Sequence, residues 1–119
     1  MQISIDELAV LCNKLLARLR ELNIEVVELP QDYYWDIPQP ERYAVYEEPD
    51  SFTIGQLSDD WADLTQLIDK EAEPILYNLV DLAAILRAIG EQGEAALLQQ
   101  AYAKAMLPTN RELRTNGSS

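Results

Sequence analysis

The chain has 119 residues, close to half of them apolar and a quarter charged, and carries a formal net charge of −12. That length suits one domain with a modest core, and that composition is globular rather than disordered. The charge excludes a nucleic-acid binder or a protein drawn to an anionic membrane, since the bases form no patch able to displace counterions from phosphates.

The charge is unevenly placed. Residues 1–24 balance three acids (Asp6, Glu7, Glu21) against three bases (Lys14, Arg18, Arg20). Residues 25–63 hold eleven acids and one base, a net of −10, and residues 64–119 hold seven acids and five bases, a net of −2. The middle third therefore carries most of the charge, and it favours a basic protein partner or a cation.

Ser4-Ile5-Asp6-Glu7 is a capping box, in which the serine hydroxyl takes the Glu7 amide and the glutamate reaches back. It opens a helix of about eighteen residues whose apolar stripe is Leu8, Leu11, Cys12, Leu15, Leu19 and Leu22, with Asn23 as its stop. Cys12, the lone cysteine, sits on that stripe, so no intramolecular disulfide forms and a small core residue is the expected role. Ile24–Leu29 is β-branched and partly alternating, which fits a short extended segment ended by Pro30.

Pro30, Pro38, Pro40 and Pro49 follow within twenty residues, and no regular helix runs through that spacing. A turn of helix fits Glu41–Tyr46, and Ser51–Gln56 reads as another short extended piece. Pairing of residues 24–29 with 52–56 is one arrangement this allows. Ser58 is placed to cap a second helix with Asp59 and Asp60 in its first turn and Trp61, Leu64, Leu67 and Ile68 on its inner face. Pro74 opens a third helix, about 74–89, that is apolar on most of its circumference. Gly90 and Gly93 then separate it from a last helix, about 94–106. The predicted fold is mainly α. It is a bundle of three to four helices over residues 1–107, with an ordered acidic, proline- and aromatic-rich insertion at about 24–57 and a flexible tail at 108–119. A short hairpin within the insertion, or an α+β arrangement, is the alternative.

The blocks DYYWDIP (Asp32–Pro38), VYEEP (Val45–Pro49) and TIGQLSDDW (Thr53–Trp61), followed by the helix EPILYNLVDLAAILRAIGE, resemble a family of small acidic bacterial proteins of unknown function. The resemblance covers roughly residues 1–91. It implies a bacterial cytosolic protein and brings no activity with it. No apolar run is long enough for a membrane span and no charged-then-apolar leader is present, so the cytoplasm is the expected location.

Few chemistries fit these residues. With no histidine, most general-base and nucleophile–base arrangements are absent, and no glycine loop suits a phosphate. Asp59-Asp60-x-x-Asp63 has the spacing of a diphosphate-holding aspartate motif, but a negatively charged first helical turn explains it more simply. Asp60/Asp63 and Glu91/Glu94 have the spacing by which small all-helical nucleotide pyrophosphohydrolases hold magnesium, and that is the enzyme alternative. No cofactor or metal is expected.

Seven of the nine aromatic residues lie between Gln31 and Trp61. Trp61, Phe52 and one of Tyr34 and Trp35 are expected in the core, while Tyr33, Tyr43 and Tyr46 are expected at the surface. The favoured function is non-catalytic binding of a basic protein, as inhibitors, immunity or antitoxin-type proteins and assembly factors do. Asp32, Asp36, Glu47, Glu48 and Asp50 would steer the partner, and Tyr33, Tyr43 and Tyr46 would anchor it. Self-association through the Leu8–Leu22 stripe is a third reading.

Overall fold

The computed structural model describes the backbone of residues 1–106 and the side chains of residues 1–93. The elements in chain order are α1 (Ile5–Glu21), β1 (Tyr33–Asp36), α2 (Gln39–Arg42), β2 (Thr53–Gln56), α3 (Leu57–Asp69) and α4 (Tyr77–Met106). The fold is mainly helical, with one two-stranded antiparallel sheet inside the segment that joins α1 to α3. The expected tail at 108–119 lies outside the described residues.

Both ends of α1 follow from local chemistry. Ser4 Oγ accepts the Glu7 amide at 3.2 Å. At the other end Asn23 turns left-handed, with φ 63°. Its amide donates to Arg20 O and the Ile24 amide donates to Leu19 O, each at 2.9 Å. This is a Schellman closure, with asparagine where glycine is commonest. Beyond it the chain is extended without being a strand. Ile24, Val27 and Leu29 turn partly inward, and Gln92 clasps the backbone of Gln31.

The hairpin pairs Tyr33 with Gln56, Tyr34 with Gly55, Trp35 with Ile54 and Asp36 with Thr53. β2 lies where the sequence places an extended piece, but its partner is residues 33–36 rather than 24–29. The cause is visible in one pair. The Tyr34 ring lies across Gly55 so closely that a Cβ on Gly55 would overlap it. Only a strand presenting a large ring opposite glycine fills that gap, and Ile24–Leu29 has none.

β2 runs directly into α3, which packs on α4. Leu57, Ile85 and Ala88 form the buried centre, with Leu29, Tyr34, Leu64, Ala84 and Ile89 around it. Glu71 at φ 51° starts the reversal between the two helices. The expected break at Gly90 and Gly93 does not occur, and α4 runs unbroken for 30 residues. Glycine in a helix costs roughly 1 kcal/mol, and it ends one only by turning left-handed. Among the described residues no glycine has a positive φ. Gly90 faces open space, and Gly93 is buried beside Val27. Pro74 precedes α4 by three residues rather than opening it, and the Asn78 side chain caps that end by accepting the Ile75 amide at 2.8 Å.

The outline is long for the chain length. The radius of gyration is 19.4 Å, where a compact domain of this size has about 13 Å. α4 spans about 45 Å and α3 about 20 Å, so much of α4 has no α3 beside it. α1 buries none of its residues fully, although Cys12, Leu16, Ala17 and Leu19 are partly covered.

The close fit of Tyr34 over Gly55 gives a direct check. Gly55→Ala should displace the ring and cost about 1–3 kcal/mol in a denaturant melt, whereas Gly90→Ala should be neutral or stabilising.

Candidate functional site

Three groups of side chains organise the hairpin segment and its contacts with α3 and α4. The first is the junction of hairpin and helix. The Asp32 carboxylate accepts the Ser58 amide and the Ser58 hydroxyl, each at 2.8 Å, and the Gln56 amide at 2.9 Å. Its backbone carbonyl takes the Leu57 amide at 2.7 Å. The first residue outside α3 is Gln56, and no side chain of its own caps the helix. Ser58 is therefore not the cap that its sequence position suggests. It lies inside the first turn, and Asp32 caps that turn from 26 residues away. The hydrogen bond from Gln56, then that from Ser58, holds the Asp32 carboxyl below its ordinary value.

The second group is the excursion between the strands. Residues 37–52 leave β1, make the short α2 and return. The Arg42 guanidinium bonds the Asp36 carboxylate and donates to Ile37 O at 2.8 Å. The Glu41 carboxylate accepts the Asp50 amide at 2.8 Å and the Ser51 amide and hydroxyl at 3.2 Å. The base of the loop is thus tied on both sides, and its tip is left outside. Tyr43 is 77 % exposed and Tyr46 99 % exposed, with Val45, Glu47, Glu48 and Asp50 also in solvent.

The exposed aromatic surface continues onto the hairpin. Tyr33 and Trp35 share one face with their partners Gln56 and Ile54, while Tyr34 points the other way. Trp35 is 75 % exposed and meets Phe52 edge-on at 6.0 Å between ring centroids. Phe52 was expected in the core and is instead exposed, as is Ile54. The place of Phe52 follows from the strand ending at Thr53, which leaves it outside the sheet beside the outward-facing Trp35. Strand alternation from Tyr34, the ring that must cover Gly55, would have placed Trp35 outside. Nothing in the composition distinguishes the two.

Of the eight residues expected to contact a partner, Tyr33, Tyr43, Tyr46, Glu47, Glu48 and Asp50 are exposed. Asp32 and Asp36 are instead engaged within the fold, by Ser58 and Gln56 and by Arg42.

The third group is a set of carboxylates between α3 and α4. The Tyr34 hydroxyl donates to Asp60 at 2.8 Å, and burial and that bond push its pKa well above the ordinary phenol value, so it stays protonated. Asp81 is only 6 % exposed. Burial, then the nearby charges of Asp60 and Asp63, raise its carboxyl above the usual range, partly offset by a bond to Asn78. Asp60 and Asp63 therefore face the Asp81 level of α4. Glu91 is ten residues further on, about 15 Å along the helix. The side chain of Glu94 lies outside the described residues. Among the described residues no three His, Cys, Asp or Glu side chains stand together in an arrangement that could hold a metal ion.

An open apolar groove of about 590 Å³ lies beside the core, walled by Leu16 and Leu19 of α1, Val26, Leu57, Trp61 and Ile85. Trp61, expected in the core, is 53 % exposed at this groove because α1 stands off from α3 and α4 instead of closing over it. Among the described residues no helix is long and apolar enough to cross a membrane. No protein family, no curated protein and no solved structure matches the chain.

The two perturbed carboxyls give stability effects of opposite sign that fade at the same end of the pH scale. Asp32 is lowered in the fold, so its contribution is present above its unfolded value of 3.8 and is lost as pH falls through the folded value. Asp32→Ala should lower the melting temperature at neutral pH by more than Ser58→Ala does, and the deficit should narrow in acid. Asp81 is raised, so its ionisation opposes folding as pH rises through its folded value. Asp81→Asn should raise the melting temperature at neutral pH, and the gain should vanish below about pH 3.8.

Proposed function

We propose that the chain is a non-catalytic protein-binding domain whose acidic aromatic loop docks a basic partner. The observation that carries this reading is the loop tip, where Tyr43 and Tyr46 stand in solvent on a base tied by Glu41 and Arg42. Exposed tyrosines on a fixed backbone lose little conformational freedom on binding, which suits anchoring residues. Glu47, Glu48 and Asp50 surround them, and the nearest base in the chain, Arg42, is bonded to Asp36. Their charge remains available to steer a cationic surface. Trp35, Phe52 and Ile54 extend the contact area along the hairpin. Asp32 and Asp36 serve this surface by shaping it.

The test is capture from a lysate of the source cells, scored for one partner across salt concentrations and variants. Binding should fall steeply between about 50 and about 500 mM salt. Glu47→Gln/Glu48→Gln/Asp50→Asn should weaken it by at least about tenfold, and Tyr46→Ala should remove more than about 1 kcal/mol. A partner held equally well at high salt and by both variants would refute the reading.

A further inference from the structure

We infer that the outer edge of β1, at Tyr33 and Trp35, is a strand-addition site for an extended, proline-free segment of a partner protein that carries lysine or arginine. The inference rests on the reading above for the sign of the partner's charge and on the hairpin alone for the place and mode of contact.

The register assigns the main-chain groups of the hairpin to its two sides. The Leu57 amide donates to Asp32 O, so these two residues form a hydrogen-bonded pair that continues the ladder. Such pairs alternate with open ones along an antiparallel ribbon. Tyr34 lies opposite Gly55 and Asp36 opposite Thr53, so the main-chain groups of residues 32, 34 and 36 turn toward β2. Those of residues 31, 33, 35 and 37 turn away. Both ends of that outer row are already taken. Gln92 holds the amide and carbonyl of Gln31, each at 3.0 Å, and Arg42 donates to Ile37 O at 2.8 Å. Between them the amides and carbonyls of Tyr33 and Trp35 have no hydrogen-bond partner among the described residues. No other described element lies alongside β1 as β2 does, and both residues stand largely in solvent. Two donors and two acceptors on residues two apart are what an added strand engages. β1 also lacks the usual guards of an exposed edge, with no lysine, proline or bulge from Tyr33 to Asp36.

Charge selects the occupant. Residues 25–63 hold eleven acids against the single base Arg42, which is bonded to Asp36. A second copy of β1 fits poorly. About a two-fold axis at Tyr34, each Tyr33 would pair with the other copy's Trp35, and each Asp32 would face the other copy's Asp36. Like charges directly opposite each other oppose pairing. Gln92 and Arg42 would also stand in the way at both ends of the ribbon. A cationic strand meets no such repulsion. Its residues opposite Tyr33 and Trp35 project onto the face where Trp35 meets Phe52 edge-on, at 6.0 Å between ring centroids. A lysine or arginine stem can lie across those rings. Glu47, Glu48 and Asp50 stand in solvent on the loop that leads into Phe52.

The probe is a capped heptapeptide alternating lysine and valine, titrated into the isotope-labelled full chain at about 50 mM salt and followed by amide exchange. Exchange at Tyr33 and Trp35 should slow by about tenfold or more, while Tyr34 and Asp36, already in the ladder, change less. The same peptide methylated on every amide should protect neither. Trp35→Pro removes an amide that the ladder does not use, and it should weaken binding by about fivefold beyond Trp35→Ala, with the Gly55 amide still protected. Protection of Tyr33 and Trp35 in the chain alone overturns the inference, as does an absence of binding at about 1 mM peptide. A peptide that shifts Tyr43 and Tyr46 yet leaves both edge amides exchanging freely overturns strand addition and leaves the loop reading intact. Equal protection by a peptide with glutamine in place of lysine overturns the cationic occupant, the premise shared with the loop reading.

Discussion

The carboxylate of Asp32 is the point on which the middle of the molecule turns. One side chain caps the first turn of α3, takes the Ser58 hydroxyl and holds Gln56, while its own carbonyl continues the ladder into Leu57. Strand and helix are thereby joined without a loop, since β2 ends at Gln56 and α3 begins at Leu57. A helix start with no cap of its own leaves amide donors unsatisfied, and Asp32, just before the opposite strand, takes two of them, the Leu57 amide on its carbonyl and the Ser58 amide on its carboxylate. That junction reinforces the register that puts Tyr34 over Gly55 and its hydroxyl on Asp60. The display of Tyr33 and Trp35 on the outer face depends on the same register.

That arrangement explains why carboxylates so close in sequence do such different work. Asp32 and Asp36 lie four residues apart and are both consumed by the fold, whereas Glu47, Glu48 and Asp50 are free of side-chain partners among the described residues. Glu41 belongs with the first pair, because it takes three donors from Asp50 and Ser51, ahead of β2, and so fixes where the loop comes back. The negative charge of the region therefore has two components, one held within the fold by hydrogen bonds and by Arg42, the other external.

Much of this was legible in advance where a single turn of chain decides the outcome. Ser4 and Glu7 mark the start of α1, and Asn23 marks its end through its tolerance of a left-handed backbone. Less was legible where the deciding partner is remote. The cap on α3 is 26 residues from the amide it serves, and Gly55 finds its ring 21 residues upstream. Gly90 and Gly93 suggested a break by composition alone, but a break needs a left-handed turn or a cap to receive the chain, and neither is present. Trp61 and Phe52 mark a separate limit. An aromatic side chain reveals that burial would stabilise it, and says nothing of whether the covering surface belongs to the same molecule.

The clasp between Gln92 and Gln31 ties the chain just before the hairpin to α4. The side-chain amide of Gln92 offers its oxygen to the Gln31 amide and its nitrogen to the Gln31 carbonyl, both at 3.0 Å, so it reads a peptide group as a neighbouring strand would. A carboxamide does both, whereas a carboxylate can only accept. Loss of its nitrogen through slow hydrolysis to glutamate would turn attraction into repulsion at the Gln31 carbonyl while leaving the chain one atom different in outline. The tether that holds Gln31 to α4 is in this sense perishable, and after that hydrolysis only the bond from the Gln31 amide would remain.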